Sequence, residues 1–246
     1  MELPLFQSIA CVFIRLSPLT LIAPIIFFSR IPLLIRTLLT LSWSVIIVLG
    51  LGDVIALPSQ FNWFYLIPEF LLGIFLSLGF HMANASMHMA SQLIDVQMGL
   101  SAGATFDPIN FQSSSPVGAL LGLLVVATFF FTNLHYEFLY FFSELFRFAP
   151  PAHFYQLDLS FFKSVSAVFA LGFLVMCPVI VVLFLIDVAV ALASRSMPQA
   201  QIYFVAIPFK ILIGLLVLGL VIKLSGDSLY YFLSQATRPW EHLRKF

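Results

Sequence analysis

Charged side chains are scarce in this 246-residue chain: Asp, Glu, Lys and Arg together make up 9%, where soluble domains carry about a quarter. That scarcity is at odds with a soluble enzyme. Neither sign predominates, since 11 basic residues balance 11 acidic ones, so the basic field that a nucleic-acid partner requires is missing. There are two cysteines, Cys11 and Cys177, both inside apolar stretches and without CxxC spacing. Neither a disulfide framework nor a zinc site is supported. A phosphate-cradling glycine loop and a nucleophile paired with a base are also absent, so nothing points to catalysis, to a metal or to a cofactor.

Apolar residues, by contrast, make up 61% of the chain and aromatics 16%, with 29 Phe. This apolar content excludes disorder. A helix crossing hydrocarbon needs about 20 mostly apolar residues, and six intervals approach that length. The first is Leu16 to Ser29, extended back to Ile9, and the second is Thr37 to Gly52, continuing past Asp53 to Leu57. Phe70 to Ile94, Pro108 to Tyr136 and Ser164 to Ile186 are each bounded by charges. The sixth, Ile202 to Ile222, contains Lys210 and precedes a short amphipathic tail with Arg238, Arg244 and Lys245. The pattern predicts an all-α, polytopic membrane protein formed by a single domain, residues 1–246. The start, Met1-Glu2-Leu3-Pro4, lacks the basic region of a cleavable signal, so the first segment is read as retained.

Turn chemistry sets the boundaries. Pro68-Glu69 suits a helix start, because Pro needs no amide partner and the carboxylate faces the positive helix end. Pro58 to Asn62 before it reads as a turn. Asp107-Pro108, followed by Ile109-Asn110-Phe111-Gln112-Ser113-Ser114-Ser115-Pro116, is the longest polar break in the first half and predicts a non-helical loop. Breaks also fall at Ala149-Pro150-Pro151-Ala152 and Met197-Pro198-Gln199. A six-crossing arrangement fails the positive-inside test: Arg30, Arg36 and Arg195 share one side, the basic tail falls on the other, and Asp95 and Asp107 lie on the Arg30 side.

Polar residues inside the apolar segments are the candidates for function. His81, Asn84, His88 and Asp95 lie near one face of a helix, where they could relay protons. The interleaved Ala83, Ala85, Ser86, Ala90 and Ser91 favour the other reading, that this face serves close packing of helices. Asp187 and Arg195 are about 12 Å apart along a helix, too far to pair directly, and each needs another subunit or a watery cavity. Lys210 reads either as a member of such a contact or as a lysine snorkelling to an interface. Gly118 and Gly122 form a GxxxG packing motif, with Gly73 and Gly79, and Gly214 and Gly219, as looser counterparts.

The order of several motifs goes further. IRLSPLTLIAPIIFFSRIPLLIR from Ile14 to Arg36, the Glu69-Phe-Leu-Leu-Gly73 opening, ASQLIDVQMGLSAGATFDP from Ala90 to Pro108, and SRSMPQAQIYFVAIPFK from Ser194 to Lys210 resemble the FliR family of the flagellar type III export gate. The most specific elements are Gln97-Met-Gly99 with Asp107-Pro108, and Arg195 with Pro198-Gln199, Pro208 and Lys210; Asn133-Leu134-His135 also fits. Ser91 stands where the family usually has Gly, and Gln201 where it has Asn. The related virulence-secretion T component shares the fold, and the Asp-Pro and Pro-Gln elements favour the flagellar branch.

The resemblance implies a FliP-like part followed by a FliQ-like part, joined with FliP and FliQ homologues in a tilted helical ring. An FlhB homologue would wrap its base, and unfolded export substrates would pass through a central channel in the bacterial inner membrane at the flagellar basal body. It implies a channel plug in Phe106 to Pro116, with Phe106, Ile109 and Phe111 sealing against water. It also implies helix or subunit contacts at Glu69, Gln97, Gly99, Gly118, Gly122, Asp187, Arg195, Pro198, Gln199 and Lys210. The rival from another class is a proton-coupled transporter using His81, His88, Asp95 and Asp187.

Overall fold

Two of the apolar segments form helices that run straight through the charges expected to bound them. In the computed structural model, which describes residues 2–22, 31–51, 62–100, 106–107, 112–113, 115–151, 159–197 and 202–236, the third segment is α3, Leu66–Met98, and the fifth is α6, Leu159–Ser196. Their 33 and 38 residues extend about 50 and 57 Å at the rise of an α-helix. The hydrocarbon core is about 30 Å thick, so neither helix is used up by a single perpendicular crossing. A helix continues past Glu69, Asp95, Lys163 or Asp187 because its backbone bonds are internal, whatever side chain it carries.

The other elements are α1, Glu2–Ser17, extended by a π turn, Pro18–Ile22; α2, Leu33–Gly50; α4, Pro116–Phe131; α5, Leu134–Phe148; α7, Ile202–Leu224; and α8, Gly226–Gln235. A 3-10 turn, Trp63–Tyr65, precedes α3, and the Asn62 side chain accepts the Phe64 amide there. Two-residue strands, β1 (Phe106–Asp107) and β2 (Gln112–Ser113), pair antiparallel between α3 and α4. The fold is otherwise all-α.

Among the described residues, four helical stretches are long and apolar enough to cross a membrane by length and composition: Leu33–Gly50, Trp63–Met98, Leu159–Ser196 and Ile202–Leu224. The expected fourth segment, Pro108 to Tyr136, is different. Its helix begins at Pro116, ends at Phe131 and resumes after a 70° bend as α5. Asn133 makes the corner with φ +60°, a left-handed conformation that Asn tolerates better than most side chains. Beyond the corner the pattern changes. Leu134, Phe138, Phe142, Leu145 and Phe146 are buried at helical spacing, while Tyr136, Glu137, Tyr140 and Arg147 face outward. α5 is therefore amphipathic, and with α4 it forms either a broken span or a re-entrant turn.

The chain divides into two compact units, one comprising Met1–Asn84, Phe129–Val168 and Leu233–Phe246, the other Ala85–Thr128 and Phe169–Phe232. In the first, α1 and α2 pack together, and the hydroxyls of Thr20 and Thr40 meet at 2.8 Å. Aromatic edges fill its centre: Phe138 lies 5.4 Å from Phe80 and 4.6 Å from Phe142 between ring centroids, both nearly perpendicular, a favoured geometry. In the second unit, Ile94 and Met98 of α3, Leu121 of α4, Met176 and Leu183 of α6 and Leu218 of α7 are buried. Between 17% and 33% of each membrane-capable window is buried inside the chain, so most of this apolar surface is left for lipid or partner subunits to cover.

Candidate functional site

Three polar nodes lie among the apolar helices, one in the first unit and two in the second. Each answers the same requirement, because a charge removed from water needs a partner. In the first, Arg15 of α1 is fully buried, and its Nε donates to Glu69 Oε2 at 2.5 Å while Nη1 donates to the Ala149 carbonyl at 2.5 Å. The guanidinium also lies 4.8 Å from the Phe146 ring centroid, which adds a cation–π contact. One arginine thus ties α1 to α3 and to the end of α5. Gly73 permits the approach, since a methyl there would collide with the Arg15 carbonyl oxygen and the Pro18 ring.

Glu69 stands in the first turn of α3, where a carboxylate suits the positive helix end, and at 1% exposure it also holds Arg15 of α1. Hydropathy reasoning passed over Arg15 because it used that residue as an edge of the apolar interval. A carboxylate and a guanidinium in neighbouring apolar stretches were the available signal.

The second node lies between α3 and α4. Asp95, 4% exposed, accepts the Ser115 hydroxyl at Oδ2 and the Val117 amide at Oδ1, and Ser115 Oγ accepts the Gly118 amide at 2.8 Å. Asp95 and Ser115 together cap α4, and Pro116 is the first residue of that helix, where its missing N–H costs nothing. Gly118 lets Ser91 come close, whereas a methyl at Gly122 would meet nothing within 4 Å. Half of the GxxxG motif is therefore used within the chain.

The alternative of a proton-relay face on α3 is not assembled among the described residues. Asn84 and His88 are exposed, His81 is half-buried, and Asp95 already accepts from Ser115 and Val117. The Gln97 Oε1 and His81 Nε2 atoms are buried without a hydrogen-bond partner among the described residues. Gly99 ends α3 with φ +79°, a conformation that side chains resist.

At the third node, Lys210 of α7 donates to Asp187 of α6, and its Nζ lies 5.2 Å from the Tyr203 ring centroid. Lys210 is 4% exposed, which overturns the snorkelling reading. Its partner lies on the preceding helix, 23 positions earlier in the chain. The Asp187 side chain keeps 36% exposure, and Arg195 is exposed.

The loop residues divide as follows. Phe106 stands opposite Ser113 and Asp107 opposite Gln112 in the short ladder. Pro108, Ile109, Asn110, Phe111 and Ser114 lie outside the described residues, as do Pro198 and Gln199. Both cysteines are free, and no cluster of potential metal ligands occurs among the described residues.

Comparison with known proteins agrees with this architecture. The flagellar biosynthetic protein FliR of Bacillus subtilis is 27% identical over 221 residues, covering 87% of this chain and 85% of its own length. That of Caulobacter vibrioides is 28% identical over 232 residues and 90% of both chains. The secretion system apparatus protein SsaT of Salmonella typhimurium is 25% identical over 222 residues, 86% of this chain and 85% of its own. Residues 6–236 match the family of bacterial export proteins, family 1; the chain belongs to that family.

Proposed function

We propose that the chain is the FliR-type subunit of a type III protein export gate in the bacterial inner membrane, needed for flagellum assembly. The observation that carries this reading is the family match across residues 6–236, which spans the described helices except the first residues of α1. The geometry is in keeping with it. Helices of about 50 Å and more with mostly uncovered apolar faces, and an Asp187 side chain about a third exposed, suit a subunit packed among others. In that assembly the FliP-like and FliQ-like parts join FliP and FliQ homologues in a tilted ring, with an FlhB homologue at its base. Unfolded flagellar proteins pass through its centre.

The stretch from Phe106 to Pro116 acts in this reading as the channel plug. The antiparallel pairing of Phe106–Asp107 with Gln112–Ser113 is in keeping with that reading, and an apolar constriction blocks ions by excluding water. The virulence branch is the second reading, on the strength of the SsaT relative. The FliR relatives at 27% and 28% identity favour the flagellar one. Complementation decides: in a flagellate host lacking its own FliR, this chain restores secretion of flagellar proteins, and failure to restore it with normal complex formation contradicts the flagellar assignment. Deleting Ile109 to Ser113 tests the plug. The assembled complex persists while the membrane leaks small ions; normal yield without a leak reduces the stretch to a connector.

A further inference from the structure

Within the first unit, α1, α2 and α5 leave between them an apolar cavity of about 390 Å³. Leu16 of α1 and Phe142 of α5 line it as buried residues, whereas Ile46 of α2 and Leu139 of α5 line it and are exposed, so the cavity has a mouth at the surface of the chain. Two small residues keep it open. A methyl added at Gly50 would meet nothing within 4 Å, and Ser143 occupies a place on α5 from which a larger side chain would reach into the space.

The lining restricts the guest. It holds no charged side chain among the described residues; its polar members are Trp43 and Ser143, and the Ser143 hydroxyl already donates to the Tyr140 carbonyl at 2.7 Å. A stretch of polypeptide entering here would bring N–H and C=O groups that need partners out of water, and two polar side chains cannot serve them. A helix, about 10–12 Å across with its side chains, is too broad for the space. What suits the cavity is hydrocarbon alone. An apolar cavity of about 150 Å³ holds benzene, and one more than twice as large has room for a flexible aliphatic chain. α2, which forms one wall, is long and apolar enough to cross a membrane, with only 17% of its window buried inside the chain, so the mouth beside Ile46 lies on a surface that lipid tails can reach.

We propose that this cavity binds an acyl chain of a membrane phospholipid, which fills the space between α1, α2 and α5 and is retained as part of the folded subunit. The chain is recognised and the headgroup is not, because the lining carries no charge. This site is independent of the export assignment, since it depends only on a cavity in the first unit and on the membrane-capable helix beside it.

The test uses the complete complex in detergent-free nanodiscs containing phosphatidylethanolamine or phosphatidylglycerol with a photoactivatable diazirine on one acyl chain. Adducts are mapped by mass spectrometry. In the wild-type complex they fall on Ile46, Leu139 and Ser143, at comparable levels for the two headgroups. Gly50→Leu and Ser143→Phe, which fill the space, lower these adducts about fivefold or more by removing apolar contact with the chain, while adducts elsewhere on the complex are unchanged. A wild-type cavity without adducts, as when a side chain of a partner subunit occupies it, overturns the proposal. So do adducts undiminished in both variants, which would mark lipid passing over an exposed helix, and so does a strong preference for one headgroup. If neither variant assembles, competition in the wild-type complex decides. Dodecane, a chain with no headgroup, lowers the cavity adducts and spares the others; cavity adducts that it does not lower overturn the assignment.

Discussion

Arg15 shows how one side chain can organise several helices. Its guanidinium reaches a carboxylate, a backbone carbonyl and an aromatic face at once, and all of these are out of water. Removing either charge strands the other. Breaking a buried pair costs about 3–5 kcal/mol, so Arg15→Ala and Glu69→Ala should each lower the melting temperature and the detergent-soluble yield sharply. The double replacement Arg15→Met with Glu69→Leu should recover part of the loss, because no charge is then left unpaired. A thermal series on the four proteins checks this, and additive losses in the double variant contradict the pair. Gly73→Ala should be nearly as damaging, since its methyl has no room beside the Arg15 carbonyl. Gly122→Ala, in open space, should be neutral or up to about 1 kcal/mol stabilising through helix propensity. Charge-free intervals revealed the apolar bodies of α3, α6 and α7, because hydrophobicity is a local property. They could not reveal Arg15–Glu69 or Asp187–Lys210, since a charge read one residue at a time marks an edge, and only the fold supplies the partner that makes it interior.

At the scale of the element, the α4–α5 corner and the α6–α7 hairpin set the limits of hydropathy reading. α5 was absorbed partly into the fourth segment because its Phe-rich sequence, Leu134–Phe148, is apolar on one face only, a periodic property that a run of apolar residues does not display. The left-handed Asn133 holds the bend. Asn133→Gly should be tolerated, whereas Asn133→Val should cost about 1–2 kcal/mol, measured as a lower melting temperature of the purified complex; equal stability of the two would deny the corner its strain. In the hairpin, Asp187 and Lys210 pair between helices that are otherwise almost wholly apolar. Lys210→Ala should reduce complex yield severalfold while membrane insertion continues, and Asp187→Ala should do the same. Combining them should be less than additive. Wild-type yield from both single variants would show the pair to be solvated and dispensable.

On the scale of the whole molecule, the family and its helical character were legible because the motifs around Gln97, Asp107, Arg195 and Lys210 occur in order along nearly the entire chain. The failed charge asymmetry left two alternatives, a segment that does not cross or helices not arranged as an ordinary bundle, and α3 and α6 are each too long for one perpendicular crossing. What the sequence could not supply was the identity of the surfaces covering the helices. At most 33% of any membrane-capable window is buried within the chain, and exposed Phe131, Phe184, Phe204 and Phe209 lie on three helices, α4, α6 and α7. Exposed apolar side chains in this number mark contact with membrane or protein, and Asp187, its side chain about a third exposed, favours protein, because a carboxylate facing lipid is costly. The central claim is therefore that this chain is completed by other subunits. Co-expression with FliP and FliQ homologues, followed by affinity capture on this chain and sizing in detergent, tests it most directly. The account predicts a stable hetero-oligomer containing all three, with the chain expressed alone giving low yield and aggregates. A monodisperse monomer, stable without partners and failing to retain either homologue, would contradict it.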